Sequence, residues 1–350
     1  MAVMGGVGER RAVGPVLLWS GLGLLLVAAF LAALGAVQRA YYSPEGFVSA
    51  YLSSLESHDL PDAMAMPGAA PTKAALTKAG LPTGASVELM RSDLLPTFSD
   101  IRVDPVSASG SGDRRTVTAH LLADGRPVTT TFDVRQTGAV FGFLPTWEFA
   151  TTPVGVAHIT VAHAQTFTVG GHTVSPRAAD PSQPASAFSV AADYLVPAPA
   201  VYELDHTSHY LQAESVRVQA ASGRVVDVTV DAQPDAAFTA AVQKELNGFL
   251  DECAKQQVLQ PAGCPFGVVI DDRVQGVPTW KMVQYPEVHL VPGTTSWTMS
   301  QAVGIVHLSV TVQSIFDGTV EHHESDEKFG VSLTSVVIRP DGSLDIVVGE

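Results

Sequence analysis

Two cysteines, Cys253 and Cys264, have the residue type and spacing best suited to a defined chemistry in this 350-residue chain. Pro261 and Gly263 lie between them and predict a bend that returns the chain toward the end of a helix. A disulfide closing a loop of this size would contribute about 3 kcal/mol in the chain-entropy model. A structural zinc site usually needs about four ligands, and no histidine lies in this stretch. A redox pair more often has the pattern Cys-x-x-Cys, so we predict a structural disulfide.

The histidines raise the question of a metal site. They are densest in the segment 321–324, which reads Glu-His-His-Glu. On a strand, alternate residues share a face, so Glu321 would lie beside His323 and, on the other face, His322 beside Glu324. Two ligands do not complete a metal site. The acidic residues on both sides of this segment predict a solvated hairpin tip instead.

A second group, Asp205, His206 and His209, has a spacing that would align ligands on a helix, but the region has the composition of a loop. His158 and His163 are five residues apart on a predicted strand and so would face opposite sides. The motifs G-x-S-x-G and G-x-G-x-x-G are absent. We therefore predict no catalytic, cofactor-binding or metal-binding residues, and no cofactor.

The elements that must position these residues begin with an uncharged run at 12–37. As a helix, its part from 16 to 37 would be about 33 Å long, enough to cross a hydrocarbon core of about 30 Å. A cleaved signal peptide is the alternative, but its apolar core is only about 7–15 residues long and ends at a small-x-small site. We predict a short cytoplasmic N-terminus at 1–11 and a transmembrane helix at 12–37.

Flanking charges predict the orientation of this helix. Arg10 and Arg11 precede it, against Glu9, and Arg39 follows it, so the positive-inside rule places residues 40–350 outside the cytoplasm. Without Glu9 and those three arginines, the 35 acidic and 20 basic residues become 34 and 17, a net charge of −17. Such a surface repels nucleic acid, so we predict no nucleic-acid partner. The prediction is a single-pass plasma-membrane protein whose exterior part is exposed to an oxidising environment.

Helix and strand patterns beyond the span predict an α+β fold with three regions. Residues 43–151 read as helices at 43–59 and 71–78 followed by antiparallel strands, two of them joined at Asp124-Gly125. Residues 152–232 read as a small all-β module. Residues 235–350 read as one helix followed by strands.

The helix of the third region shows the clearest apolar face. Asp235 is suited to cap it. Cys253 lies near its end on the core side, so the predicted disulfide would attach the departing loop to the helix. The predicted core positions are Phe238, Val242, Leu246, Phe249 and Cys253.

The order of helices and strands in residues 43–151, opening with FVSAYLSSLESHDLPDAMAM, resembles the nuclear-transport-factor-two-like (SnoaL-like) fold. The third region repeats the plan, so two such domains, SnoaL-like or cystatin-like, would flank the β module, each with a curved antiparallel sheet. Some members of that fold use a buried Asp–His pair as acid and base. Here His58 and Asp59 would lie at a helix end, and His120 would point outward.

An anchor followed by such domains resembles bacterial envelope proteins, among them TcaA-type membrane proteins and VirB-type scaffold subunits. This resemblance implies a non-catalytic cell-envelope protein whose exterior domains bind a protein, cell-wall or small-molecule partner. One alternative is an assembly subunit of a secretion or conjugation complex. A second alternative is a SnoaL-like isomerase or dehydratase.

Overall fold

The computed structural model describes Trp19, residues 22–32, Gly35 and residues 42–106, 112–184 and 188–349. The chain is an α+β protein in which strands predominate. It divides into two compact units. Unit 1 comprises the residues up to Val156 together with Leu195–Val201 and Gln219–Val225, and unit 2 comprises Ala157–Tyr194, Tyr202–Val218 and Val226–Glu350. Residues of the predicted β module at 152–232 belong to both units, and its independence stays a prediction.

The predicted transmembrane helix is wrong. Among the described residues, no helix combines the length and the apolar character that crossing a bilayer requires. The described helical run of the segment covers residues 22–32. Most of the other positions of 12–37 lie outside the described residues. The absence of charged residues makes a segment apolar, but it does not by itself make that segment a bilayer-spanning helix.

The first and the last of the helices given below each begin after a capping side chain. Ser43 Oγ accepts a hydrogen bond from Gly46 N at 3.0 Å at the start of the first helix, and Asp235 Oδ1 accepts one from Phe238 N at 2.7 Å at the start of the last. The helices are α1 (Pro44–Glu56), α2 (Leu60–Ala65), α3 (Lys73–Ala79), α4 (Pro176–Ala179) and α5 (Ala236–Ala254), with a 3-10 turn at Ser92–Leu94.

The strands of unit 1 include an antiparallel meander in the order β1-β2-β3-β4. Helix α1 packs on this sheet through Tyr51, which is fully buried and contacts the rings of Phe132 and Phe149 at centroid distances of 5.6 and 5.1 Å. The predicted turn at Asp124-Gly125 joins the second and third strands, as expected. The strands are β1 (Phe98–Val103), β2 (Arg114–Ala123), β3 (Arg126–Val140) and β4 (Leu144–Phe149).

The central part of the chain forms two further sheets, one of three strands in the order β11-β5-β8 and one of five in the order β12-β10-β9-β6-β7. Their bounds are β5 (Val154–Ala162), β6 (Phe167–Val169), β7 (His172–Val174), β8 (Ser189–Pro197), β9 (Val201–Thr207), β10 (Leu211–Gln219), β11 (Val225–Asp231) and β12 (Gln233–Pro234).

The C-terminal sheet of unit 2 has the order β13-β15-β16-β17, with the short β14 paired to β15. Helix α5 faces the core with Leu250 rather than the predicted Phe249, which is half-buried. A step of four residues from Leu246 keeps the apolar stripe in line here, where the sequence pattern suggested a step of three. The strands are β13 (Arg273–Gln284), β14 (Val291–Pro292), β15 (Trp297–Gln313), β16 (Val320–Ile338) and β17 (Leu344–Gly349).

Candidate binding surface

The two cysteines are joined in a disulfide that closes the loop after α5. The Cα atoms of Cys253 and Cys264 are 5.8 Å apart, and Cys253 is buried. The side chain of Gln256 bridges the same loop, because its Nε2 donates to Ala262 O at 3.3 Å and its Oε1 accepts from Ala262 N at 2.9 Å. Both cysteines of the chain are therefore used in structure, and neither is available as a nucleophile.

The interior of unit 1 is filled by apolar side chains. Its buried polar residues are Thr130 and Thr152, among the described positions. His58 and Asp59 are exposed and lie outside this core. Asp59 caps α2, because its Oδ1 accepts a hydrogen bond from Asp62 N. His120 points outward, with its Nε2 at 3.1 Å from Asp104 Oδ2. No described aspartate or histidine is therefore placed in this core as the acid and base of an isomerase.

The other histidines singled out in the sequence lie at separate places in unit 2: His158 and His206 lie in strands, whereas His163 and His209 lie in the bends after β5 and β9. Asp205 and His206 lie in β9, and not in the loop that their composition suggested; His206 is buried, with Nδ1 at 2.8 Å from Thr166 O. His158 and His163 each meet a different carboxylate. Among the described residues, no group of three or more histidines, cysteines or carboxylates is placed to hold a metal ion.

The prediction of a hairpin tip at 321–324 is wrong, because this segment lies within strand β16. The turn that precedes β16 lies at residues 314–319. Residues 321–324 pair with β15, where Thr311 is opposite His322 and Ser309 is opposite Glu324. Directly opposite residues of an antiparallel pair project from the same face, as do alternate residues along each strand. One exposed face therefore carries a polar ladder: His307, Ser309, Thr311, His322, Glu324 and Asp326.

Hydrogen bonds connect the members of the polar ladder. His307 Nδ1 lies 2.7 Å from Asp326 Oδ1. His322 Nε2 lies 3.2 Å from Ser309 Oγ and 3.3 Å from Glu324 Oε1. In a Ser-His-acid triad the serine and the acid contact different nitrogens of the imidazole. Here both contact Nε2, on a side chain that is 56% exposed, so these three residues do not have the arrangement of a catalytic triad.

The opposite face of the same hairpin anchors it to unit 2. Val306 and Leu308 are fully buried, and Val310 is 2% exposed. Trp280 of β13 pairs opposite Leu308 and donates from Nε1 to Val258 O at 2.8 Å. One apolar face against the core and one polar face toward solvent is the usual arrangement of an antiparallel sheet, and it holds the end of the hairpin in a fixed direction.

The turn between β15 and β16, residues 314–319, is called the tip below. Its conformation is fixed by its own hydrogen bonds: Ser314 N donates to Thr319 O at 2.8 Å, and Gly318 N donates to Ser314 O at 3.0 Å. Asp317 Oδ1 accepts from Thr319 N at 3.1 Å and from Thr319 Oγ1 at 2.8 Å. These hydrogen bonds from Thr319, with a further one from Ser314, hold the pKa of Asp317 below its usual range.

Two large apolar side chains lie on this ordered tip. Phe316 is 99% exposed and Ile315 is 73% exposed. Ile315 N donates to Asp272 Oδ1 at 3.2 Å, which ties the tip to the chain just before β13. Two neighbouring exposed apolar side chains on one turn make the tip a candidate contact surface for another molecule.

The outer edge of β16 is protected by charge. Strand β17 pairs only with Ser332–Ile338, so in the described chain residues 320–331 have β15 as their one neighbour. This free edge carries Glu321, Glu324, Asp326 and Glu327. Charged side chains on an edge strand oppose pairing with a further strand. The tip is therefore a better candidate for a contact with another molecule than this edge. The acidic residues of β16 give the sheet next to the tip a negative charge.

Comparison of the chain with protein-family models, with characterised protein sequences and with solved structures gives no match. The resemblance to the SnoaL-like fold and to TcaA-type and VirB-type proteins stays a prediction from the sequence. Functional assignment therefore depends on the geometry of the described residues.

Proposed function

We propose that this chain is a non-catalytic, extracytoplasmic binding protein that engages a protein partner through the tip. The observation that carries the proposal is Phe316, almost fully exposed on a turn whose conformation is fixed by hydrogen bonds within the tip. Large aromatic side chains are over-represented among the residues that dominate binding energy at interfaces.

The expected contribution of Phe316 to the binding free energy is large enough to measure. Burying a phenylalanine side chain contributes about 1.5–3 kcal/mol, and each 1.4 kcal/mol corresponds to about tenfold in Kd. Because the tip is ordered before binding, little conformational entropy is lost when a partner closes over Phe316. Ile315 adds a second apolar contact beside it.

The charge around the tip supports a basic protein surface as the partner. Asp317 is next to Phe316 in the tip, the acidic edge of β16 begins at Glu321, two residues after the tip, and the whole chain has a net charge of −15. Such a surface is repelled by nucleic acid and by anionic headgroups. A protein cleft with an apolar floor and basic rim fits both features, and its charge would accelerate association.

The disulfide supports an oxidising compartment as the place of action. Disulfides persist outside the cytoplasm, where the thiol-reducing systems are absent. The pair Cys253–Cys264 lies in unit 2, the same unit as the tip. Export of the chain thus fits both the chemistry of its cysteines and the proposed binding role.

Photo-cross-linking in the producing cells tests this proposal. A photoreactive phenylalanine analogue is placed at position 316, and in the matched control at Phe141, which is 83% exposed on the turn between β3 and β4. We expect one protein to be captured from 316 and not from 141. Equal capture from both positions, or none from 316, would contradict the proposal. Capture of a second copy of the chain would instead support the assembly-subunit alternative.

A further inference from the structure

A second candidate site lies within unit 1. A cavity of about 380 Å³ is bounded by α3, by the starts of β2 and of the segment after β4, and by the backbone at Gly68. Its chemically distinctive lining residues are Lys78, Arg114, Glu148, Phe149, Thr151 and Thr152. This volume falls toward the lower end of the range for small-molecule sites, about 300–1,000 Å³.

The charge in this cavity is opposite to that of the protein. In β2 and β3, Arg114 lies directly opposite Arg135, and in β3 and β4, Arg135 lies opposite Glu148. Arg135 Nε donates to Glu148 Oε1 at 2.6 Å, so the positive charge of Arg135 offsets the negative charge of Glu148. Within the described parts of the chain, no carboxylate pairs with Lys78 or Arg114. The cavity therefore presents two uncompensated cations in a chain of net charge −15.

The juxtaposition of Arg114 and Arg135 has a physical cost. Like charges directly opposite each other on neighbouring strands destabilise the pair. Glu148 offsets the charge of Arg135 in this group, whereas Arg114, which is exposed, has no ion pair with a described carboxylate. An anion bound between Arg114 and Lys78 would supply the missing negative charge.

The walls of the cavity are formed before any ligand binds. Gly68 has φ +76°, and a Cβ there would lie 2.4 Å from Phe149 O, so glycine allows this backbone to run against the end of β4. Phe149 N donates to Pro67 O at 2.9 Å, and Thr152 Oγ1 donates to Ala69 O at 2.9 Å. These contacts join two walls of the cavity, so a ligand would enter a preformed site.

We propose that this cavity binds a small organic oxyanion, a carboxylate or a phosphate. The guanidinium of Arg114 suits the two oxygens of such a group, and Lys78 adds a point charge. Phe149 and the small residues of α3 provide an apolar wall for the remainder of the ligand. The proposal stands independently of the partner proposed for the tip.

Thermal unfolding of the full chain, with sodium phosphate or sodium acetate added at constant ionic strength against sodium chloride, tests this site. We expect a saturable rise in the unfolding midpoint with at least one of the two anions, and the responding anion identifies the ligand class. Lys78→Gln and Arg114→Gln should each raise the fitted Kd by about tenfold or more. Lys73→Gln removes the same charge from the same helix outside the cavity lining and should leave the Kd unchanged.

Two further variants keep the result interpretable. Arg114→Lys retains the charge but loses the planar fork, so its Kd should lie between those of wild type and Arg114→Gln. Phe316→Ser should bind the anion as wild type does, which separates this site from the tip. A response that is unsaturable, or equal in Lys73→Gln, Lys78→Gln and Arg114→Gln, would show a general salt effect and overturn the proposal.

Discussion

Asp317 holds Thr319 by two hydrogen bonds to one carboxylate oxygen, and this pair fixes the turn from which Phe316 projects. The same arrangement recurs at the turn between β16 and β17, where Asp341 Oδ1 accepts from Ser343 N at 3.0 Å and from Ser343 Oγ at 2.7 Å. The second turn carries no exposed aromatic residue. The two turns therefore separate the effect of the carboxylate on turn geometry from its effect on binding.

Asp317→Ala should weaken capture of the partner from position 316, while Asp341→Ala should not. The physical reason is that the variant removes the acceptor for Thr319, so the tip loses its order before binding and the entropy cost of binding rises. Amide hydrogen exchange should become faster at Thr319 in Asp317→Ala and at Ser343 in Asp341→Ala. Equal loss of capture in both variants would show that the tip has no special role.

The protonation of Asp317 predicts how the tip depends on pH. Its pKa is lowered in the folded chain by hydrogen bonds from Thr319 and Ser314, so the ordered tip is favoured above the unfolded pKa of about 3.9. That contribution is lost as the pH falls through the lower, folded-state pKa. The amide resonance of Thr319 should therefore titrate with a midpoint below about 3.9, and a midpoint above that value would contradict the hydrogen-bonded geometry.

Reduction of the disulfide should destabilise unit 2. Cys253 and Cys264 are 11 positions apart, and closing a loop of that size contributes about 3 kcal/mol to the free energy of unfolding in the chain-entropy model. Denaturant titrations with and without a reductant measure the difference. The double variant Cys253→Ala, Cys264→Ala should be insensitive to the reductant. An unchanged unfolding midpoint for the reduced wild type would mean that the bond is unimportant for stability.

Gly68→Ala should destabilise the chain more than Gly80→Ala. Both glycines have positive φ, +76° and +71°, so both substitutions carry the conformational cost of an L-residue there, about 1 kcal/mol. Only at Gly68 would the new Cβ also clash, at 2.4 Å from Phe149 O, whereas nothing lies within 4 Å at Gly80. Thermal unfolding of the two variants measures the difference. Equal midpoints would contradict the close contact between the backbone at Gly68 and Phe149 O that forms part of the cavity wall.

Local signals in the sequence predicted much of the fold. Asp235 marks the start of α5, Asp124-Gly125 marks the turn between β2 and β3, and the spacing of apolar residues places Cys253 on the buried side of its helix. Each of these depends on residues close together in the chain. The disulfide prediction used the same short-range information together with the redox argument.

The candidate sites could not be predicted in the same way. Charged residues disfavour strands, so the segment 321–324 read as a turn, but pairing with β15 and the buried face of that hairpin keep it extended. The cation pair of Lys78 and Arg114 comes from a helix and a strand that are distant in sequence. The spacing of residues within one helix or strand does not predict which residues of another element lie beside it.

The most direct test of the account is the dissociation constant of the protein captured from position 316, measured with purified components under oxidising conditions. We predict that Phe316→Ser raises this Kd by about tenfold or more, because a buried phenylalanine side chain contributes about 1.5–3 kcal/mol. Phe141→Ser, which removes an aromatic side chain that is 83% exposed in unit 1, should leave the Kd at the wild-type value. An unchanged Kd for Phe316→Ser in a folded variant would contradict the proposal that the tip is the contact.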